Sequence, residues 1–307
     1  NNAELPTIYD EDEFFEIEKD ILTPVDQRKK CTLVPMWEHE FRYGNHVASG
    51  RKFNLRDFSL PVPGEKGLNL NCVFTTPSNG YSGYYEKEKI DKKRIVLHFT
   101  VGNIKSDINI LTRPRKGYSK WRMSVPFVIA RDGTIYQLFG SGYWSHHLGK
   151  GSLIDNELGS KYSIAIEMSN YGPLIPVGDN LETVYSRRHG KDEVDVYCSM
   201  SDTAMYTKLP YPFKGYQYYA SFTDEQYESL VILLRFLTTK YDIPRQFLPE
   251  STRFKADKST AYFRGITSHL NYRPSGKWDI GPAFSWDKII DGVSASSFHP
   301  KKIKSAP

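Results

Sequence analysis

Three features predict an α/β fold. Short β-type segments recur after residue 90, a strong hairpin signal joins two of them, and one long amphipathic helix lies near residue 230. Residues 94–101 are mostly β-branched and aromatic, the composition of a strand. Period-2 alternation puts Ile95, Leu97 and Phe99 on one face and Val96, His98 and Thr100 on the other. Residues 126–139 hold two apolar runs around Asp132-Gly133, a turn pair that favours a hairpin. Residues 163–169 form a third strand, with Ile164, Ile166 and Met168 opposite Ala165, Glu167 and Ser169. A helix is predicted over 223–241, where Thr223 and Gln226 make a capping box. Leu230, Val231, Leu234 and Leu237 then give a stripe that packs on the sheet.

The flanks read differently. Residues 1–90 form an N-terminal extension or small subdomain, with no metal-ligand or nucleophile constellation. Within them, residues 10–20 are acidic, and Phe14, Phe15, Ile17 and Ile21 are spaced for an amphipathic helix. Residues 59–67 are rich in Pro and Gly and read as a connector. The stretch 171–222 is too long for a plain loop and reads as an insertion with its own local structure. Residues 293–307 end the chain as a basic tail.

The chain has 307 residues, of which 39% are apolar, enough to bury a sizeable core and to exclude global disorder. A net charge of +5 is too mild to point to nucleic acid, but it suits an anionic polymer such as a bacterial wall. Cys31, Cys72 and Cys198 lack metal-site spacing; at most one disulfide can form, and three core thiols are expected. No run approaches the roughly 20 apolar residues of a membrane span, so no transmembrane segment is expected. The polar start lacks Met and reads as no signal peptide, which is no argument for the cytoplasm.

The chemistry concentrates in residues 266–286. His269, Lys277 and Asp279 fall within eleven residues there, and Gly276, Gly281 and Pro282 tighten the loop. With His98 on its strand, the set His98, His269, Asp279 has the character of a catalytic zinc site: three protein ligands and a fourth position for water. Taken singly, each histidine reads more often as a structural one. Glu167, on a central strand, suits a general base, or else a salt bridge with a lysine or arginine. Lys277 suits an oxyanion stabiliser, or else an ordinary solvated lysine. Trp144, His146 and His147 either line a substrate groove or form a structural cluster.

From residue 90 to 290 the order of these motifs resembles the zinc-dependent type-2 N-acetylmuramoyl-L-alanine amidases, the superfamily that includes the peptidoglycan recognition proteins. Leu97-His98-Phe99-Thr100-Val101-Gly102 is similar to the family's first-ligand strand. Residues 127–136 resemble its hairpin, and residues 144–149 its Trp-His-Ala-Gly signature, which aligns His147. Ser163-Ile164-Ala165-Ile166-Glu167 resembles its Ser-Ile-Gly-Ile-Glu strand. Ser268-His269 and Lys277-Trp278-Asp279-Ile280-Gly281-Pro282 resemble its second-ligand segment and its lysine and third-ligand loop.

The resemblance implies a central mixed β-sheet flanked by helices, with residues 91–292 as the catalytic domain. It implies Zn2+ on His98, His269 and Asp279, Glu167 as general base, Lys277 as the carbonyl-polarising cation, and Trp144 and His147 in substrate binding. The reaction implied is hydrolysis of the amide between N-acetylmuramic acid and L-alanine. The expected partner is therefore peptidoglycan or its muropeptides, met outside the cytoplasmic membrane by a monomer that binds no nucleic acid.

Two departures stand out: Phe99 replaces the usual second His of the first motif, and Val125-Pro126 replaces a polar or aromatic pair before the hairpin. The competing reading is a wall-binding module of the same fold that does not cut. Such relatives typically lose a metal ligand, whereas Asp279, Glu167 and Lys277 are all present here. An unrelated zinc hydrolase is the third reading, and the hairpin and residues 144–149 count against it. The 171–222 insertion leaves the chain just after Glu167 and is expected to border the substrate groove through Tyr185, Tyr197, Tyr206 and Tyr211.

Overall fold

Strands β4 (Arg94–Phe99) and β7 (Ser163–Met168) lie side by side and parallel, pairing Arg94 with Ser163 and His98 with Glu167. On the other side of β4, strand β13 (Gly265–Ser268) runs parallel to it. β5 (Phe127–Ile129) pairs parallel with β7 and antiparallel with β6 (Ile135–Gln137). The hairpin expected at Asp132-Gly133 forms between β5 and β6: Gly133 takes φ +82°, and Asp132 Oδ1 accepts the Thr134 N–H at 2.9 Å. This computed structural model describes residues 32–114, 122–187 and 193–300. The helix read in residues 10–20, Cys31, and the tail from 301 lie outside them.

The sheet does not stop at β6. β1 (Val47–Ala48), β2 (Arg51–Pro61) and β3 (Asn69–Pro77) continue it, giving eight strands in the order β1-β2-β3-β6-β5-β7-β4-β13. Residues expected to form an extension or subdomain thus supply one edge of the central sheet, preceded by helix α1 (Met36–Tyr43). The Pro/Gly-rich connector is the turn of the β2–β3 hairpin, closed by Val62 N–H to Leu68 O at 2.8 Å.

Both faces of the sheet are covered. Ile95, Leu97, Phe99, Ile164, Ile166 and Met168 form one core with helix α4 (Asp224–Lys240), whose Leu230, Leu234 and Leu237 are fully buried. Each such side chain contributes about 1.5–3 kcal/mol by leaving water. Thr223 caps α4 by accepting the Gln226 N–H at 3.1 Å, and Gln226 returns the bond to Thr223 N. Helix α2 (Ile104–Thr112) packs Ile104 and Ile108 on the opposite face, against Val128 and Ala165. α3 (Asn156–Lys161), the short α5 (Glu250–Arg253) and α6 (Trp286–Ser294) complete the surround. The fold is a central mixed sheet flanked by helices.

Residues 171–222 build a second, antiparallel sheet. It contains β8 (Pro173–Val177), β9 (Asn180–Thr183), β10 (Val196–Ser199), β11 (Tyr206–Phe213) and β12 (Tyr216–Ala220), in the order β10-β9-β8-β12-β11. Leu174, Leu181, Tyr197, Cys198, Met205 and Tyr218 give it a core of its own. Tyr185 ties it to the main sheet by donating its hydroxyl to Val101 O at 2.7 Å. Cys72 and Cys198 are buried free thiols, and burial pushes Cys72 up to about 12, which makes it a poor nucleophile. Among the described residues, no helix is long and apolar enough to cross a membrane.

Candidate active site

The parallel pairing of β13, β4 and β7 brings their C-terminal ends together. His98 is the fifth residue of β4, Glu167 is its register partner on β7, and His269 directly follows β13. The loop after His269 turns back on itself, with the Leu270 N–H donating to Asp279 O at 2.9 Å. That bond delivers the Asp279 carboxylate to the two rings. His98 Nδ1 and His269 Nδ1 lie 2.9 Å apart, and Asp279 Oδ2 lies 3.2 Å from the first and 2.9 Å from the second. All three side chains are buried.

The outer ring nitrogens settle which atoms face inward. The Ser163 hydroxyl donates to Gly159 O at 2.7 Å, so Ser163 Oγ receives the His147 Nε2–H, also at 2.7 Å. His147 Nδ1 is then a bare acceptor for His98 Nε2–H at 3.1 Å. His269 Nε2–H donates to Leu148 O at 3.0 Å. Both Nδ1 atoms therefore carry lone pairs directed at each other and at a carboxylate. Three electron-rich atoms so close repel one another unless a cation sits among them. Their spacing also approaches the edge of about 3.3 Å expected for N and O ligands on tetrahedral zinc. The donor set fits a metal ion, with His147, Ser163 and Leu148 fixing the tautomers from behind.

The surroundings of each group act on its charge. Burial pulls His98 down, against hydrogen bonding and charge from Asp279. Burial likewise lowers His269, to about 4, and holds His147 well below its ordinary value. Burial alone would raise Asp279, but its place beside His269 and His98 holds the carboxyl below its ordinary range. Neutral rings and an ionised carboxylate are the forms that bind metal.

Glu167 stands just outside the triangle. Its Oε1 is 4.0 Å from His98 Nδ1, and its buried Oε2 has no hydrogen-bond partner. Burial, then the negative charges of Asp279 and Asp107, raise its carboxyl well above the ordinary range, with Lys277 opposing. A carboxylate so placed readily accepts a proton. Glu167, Lys277 and the three triangle residues line one cleft of about 100 Å3, with His147 behind His98 and Phe99 and Met123 among the apolar walls. Phe99, the departure in the first motif, packs into the main core over Gly172, where an added Cβ would lie 2.6 Å from its ring. A larger hollow of about 810 Å3 lies near the β2–β3 hairpin and α4. Among the described residues, no histidine lines it, and His98, His269 and Asp279 are the one metal-type cluster.

Trp144 departs from expectation, because it does not line the cleft. Its indole N–H donates to Glu88 Oε2 at 3.1 Å, Lys161 Nζ sits 4.9 Å above the ring, and the side chain is buried. Packing consumes the surface that would have stacked on a ligand. The tyrosines of the insertion do not line the cleft either. Tyr197 and Tyr206 pack within the insertion, and Tyr211 is 82% exposed on it.

Asp107 is a cleft residue that the sequence reading passed over. It lies in the first turn of α2, where an acidic residue looks like routine helix-dipole compensation. It is buried, accepts the Ser169 hydroxyl, and is pushed by burial up to about 7. The folded protein thus keeps a proton that the unfolded chain releases near the ordinary value of 3.8. Stability contributed through this group falls as pH rises from about 4 to about 7. Asp107→Asn is expected to flatten that fall, read as melting temperature against pH. Equal slopes in variant and parent would contradict the assignment.

A family model described as N-acetylmuramoyl-L-alanine amidase matches residues 88–282. No curated protein matches the sequence. Among solved structures, an AmpD selenomethionine derivative shares 18% identity over 69% of this chain and 92% of its own, with a TM-score of 0.36. AmiD from E. coli, solved with anhydro-N-acetylmuramic acid-L-Ala-D-gamma-Glu-L-Lys, shares 17% over 67% of this chain, with a TM-score of 0.40. The match spans 59% of the AmiD chain. The endolysin LysCS from Clostridium intestinale shares 17% over 65% of this chain and 82% of its own, with a TM-score of 0.32. The family match covers well over half of the sequence and contains every triangle residue, Glu167 and Lys277, and on that ground the chain belongs to the N-acetylmuramoyl-L-alanine amidase family.

Proposed function

We propose that this amidase is zinc-dependent and cuts the amide between the lactyl group of N-acetylmuramic acid and the L-alanine of the stem peptide. The observation that carries the reading is the buried triangle of two imidazole lone pairs and a carboxylate, set beside the unpartnered oxygen of Glu167. His98, His269 and Asp279 hold the metal. Zinc bound there supplies Lewis-acid polarisation of water and of the scissile carbonyl.

The remaining steps belong to side chains of the chain. Glu167 takes a proton from the attacking water as its oxygen bonds to the carbonyl carbon. Lys277, at the cleft wall, stabilises the oxyanion that develops there. As the C–N bond breaks, Glu167 returns the proton to the leaving amine of L-alanine. His147 keeps the His98 proton on Nε2 throughout, so Nδ1 stays free as a ligand. The substrate lies outside the cytoplasmic membrane, and the protein works there.

Mass spectrometry of purified peptidoglycan digested by the protein tests both the bond and the metal. Free stem peptides beginning at L-alanine are expected, and none after the protein has been stripped by a chelator. Fragments cut in the sugar chain or within the stem peptide would contradict the bond assignment. Undiminished release after stripping would contradict the metal.

A further inference from the structure

The 171–222 unit reaches beyond its own core. Its last hairpin closes on Phe213-Lys214-Gly215-Tyr216, with φ of 46° at Lys214 and 88° at Gly215. A two-residue turn with positive φ at both central positions matches the twist of its strands. The flanking pair Phe213 and Tyr216 joins the main hydrophobic core rather than that of the insertion.

There it meets the loop that carries Lys277 and Asp279. The Tyr216 ring meets Trp278 edge-on, with centroids 5.7 Å apart. Phe213 occupies the space beside Gly281, where an added Cβ would lie 2.6 Å from its ring. Lys214 Nζ donates to Pro274 O at 3.4 Å. The turn therefore grips the loop at 274, 278 and 281, on both sides of Lys277 and Asp279. No described residue of 171–222 lines the cleft, so this hold is exerted from behind.

We infer that residues 213–216 are a positioning brace that, through Trp278 and Gly281, holds Asp279 in place as a metal ligand. The inference rests on the proposed ligand role of Asp279. It gives the insertion a task in metal affinity rather than in substrate contact. Shell residues that orient metal ligands typically contribute about 10–100-fold to affinity. Phe213 and Tyr216 act one step further out, through packing instead of hydrogen bonds.

Zinc affinity by chelator competition, together with the visible spectrum of the cobalt(II)-substituted protein, tests the brace. Phe213→Ala and Tyr216→Ala are each expected to weaken zinc by roughly 10–100-fold and to shift the cobalt bands. Phe213→Leu, which refills the space beside Gly281, should recover most of the affinity. Tyr206→Ala loosens the insertion's own packing and should lower the melting temperature while leaving affinity unchanged. Parent-like affinity in both tip variants, with zinc lost from Asp279→Ala, overturns the brace alone. An equal loss in Tyr206→Ala also overturns it, because general loosening would then suffice. Parent-like affinity in Asp279→Ala overturns the ligand assignment beneath it.

Discussion

Asp279→Ala is expected to lose zinc and turnover together. Asp279 supplies the one anionic corner of the triangle, 3.2 Å from His98 Nδ1 and 2.9 Å from His269 Nδ1. Two neutral imidazoles alone neither complete the three-ligand set of a catalytic site nor offset the charge of a divalent ion. Asp279 is buried and its carboxyl is held below the ordinary range in the folded protein, so its loss is also expected to lower the melting temperature. Elemental analysis after desalting, with a melting curve as control, separates loss of metal from loss of structure.

Glu167→Gln is expected to keep zinc and lose rate. Glu167 Oε1 lies 4.0 Å from His98 Nδ1, outside the close triangle, so the ligand set survives the change. Gln keeps the size of the side chain but no longer accepts a proton. Loss of a general base costs about 10²–10⁴ in rate, equivalent to roughly 3–5 kcal/mol in the barrier. The sign for stability is opposite. Burial raises the folded carboxyl well above its ordinary range, so its ionisation costs stability once the unfolded chain has released its proton. Near neutral pH the Gln variant should therefore melt no lower than the parent, the expected trade between stability and a strained active group. A variant that melts well below the parent would mean that Glu167 is a structural partner.

Local signals in the chain made the centre of this arrangement readable. Alternation along 94–99 and 163–168 fixes which residues face the core, and it leaves His98 and Glu167 on the other side. The capping pair Thr223 and Gln226 marks the start of α4 to the residue. The crowding of His269, Lys277 and Asp279 shows in the primary sequence because one loop carries all three.

What was not readable depends on long-range packing. β2 is mostly exposed, and its run Asn54-Leu55-Arg56-Asp57-Phe58-Ser59 lacks the apolar alternation of a strand with one buried face. Its membership of the central sheet comes from pairing with β3, which in turn docks on β6 more than sixty residues away. Trp144 looked like a stacking surface because its partners Glu88 and Lys161 are remote in sequence. The sequence shows 171–222 only as an insertion; the Lys214-Gly215 turn and its seat against Trp278 and Gly281 come from packing across the chain.

Zinc content and turnover, measured side by side in the parent, Asp279→Ala and Glu167→Gln, test the central claim most directly. The account predicts about one zinc per chain in the parent and in Glu167→Gln, little in Asp279→Ala, and fast turnover in the parent alone. A parent that cuts peptidoglycan at full rate without zinc, or a Glu167→Gln variant that has lost its zinc, would contradict it.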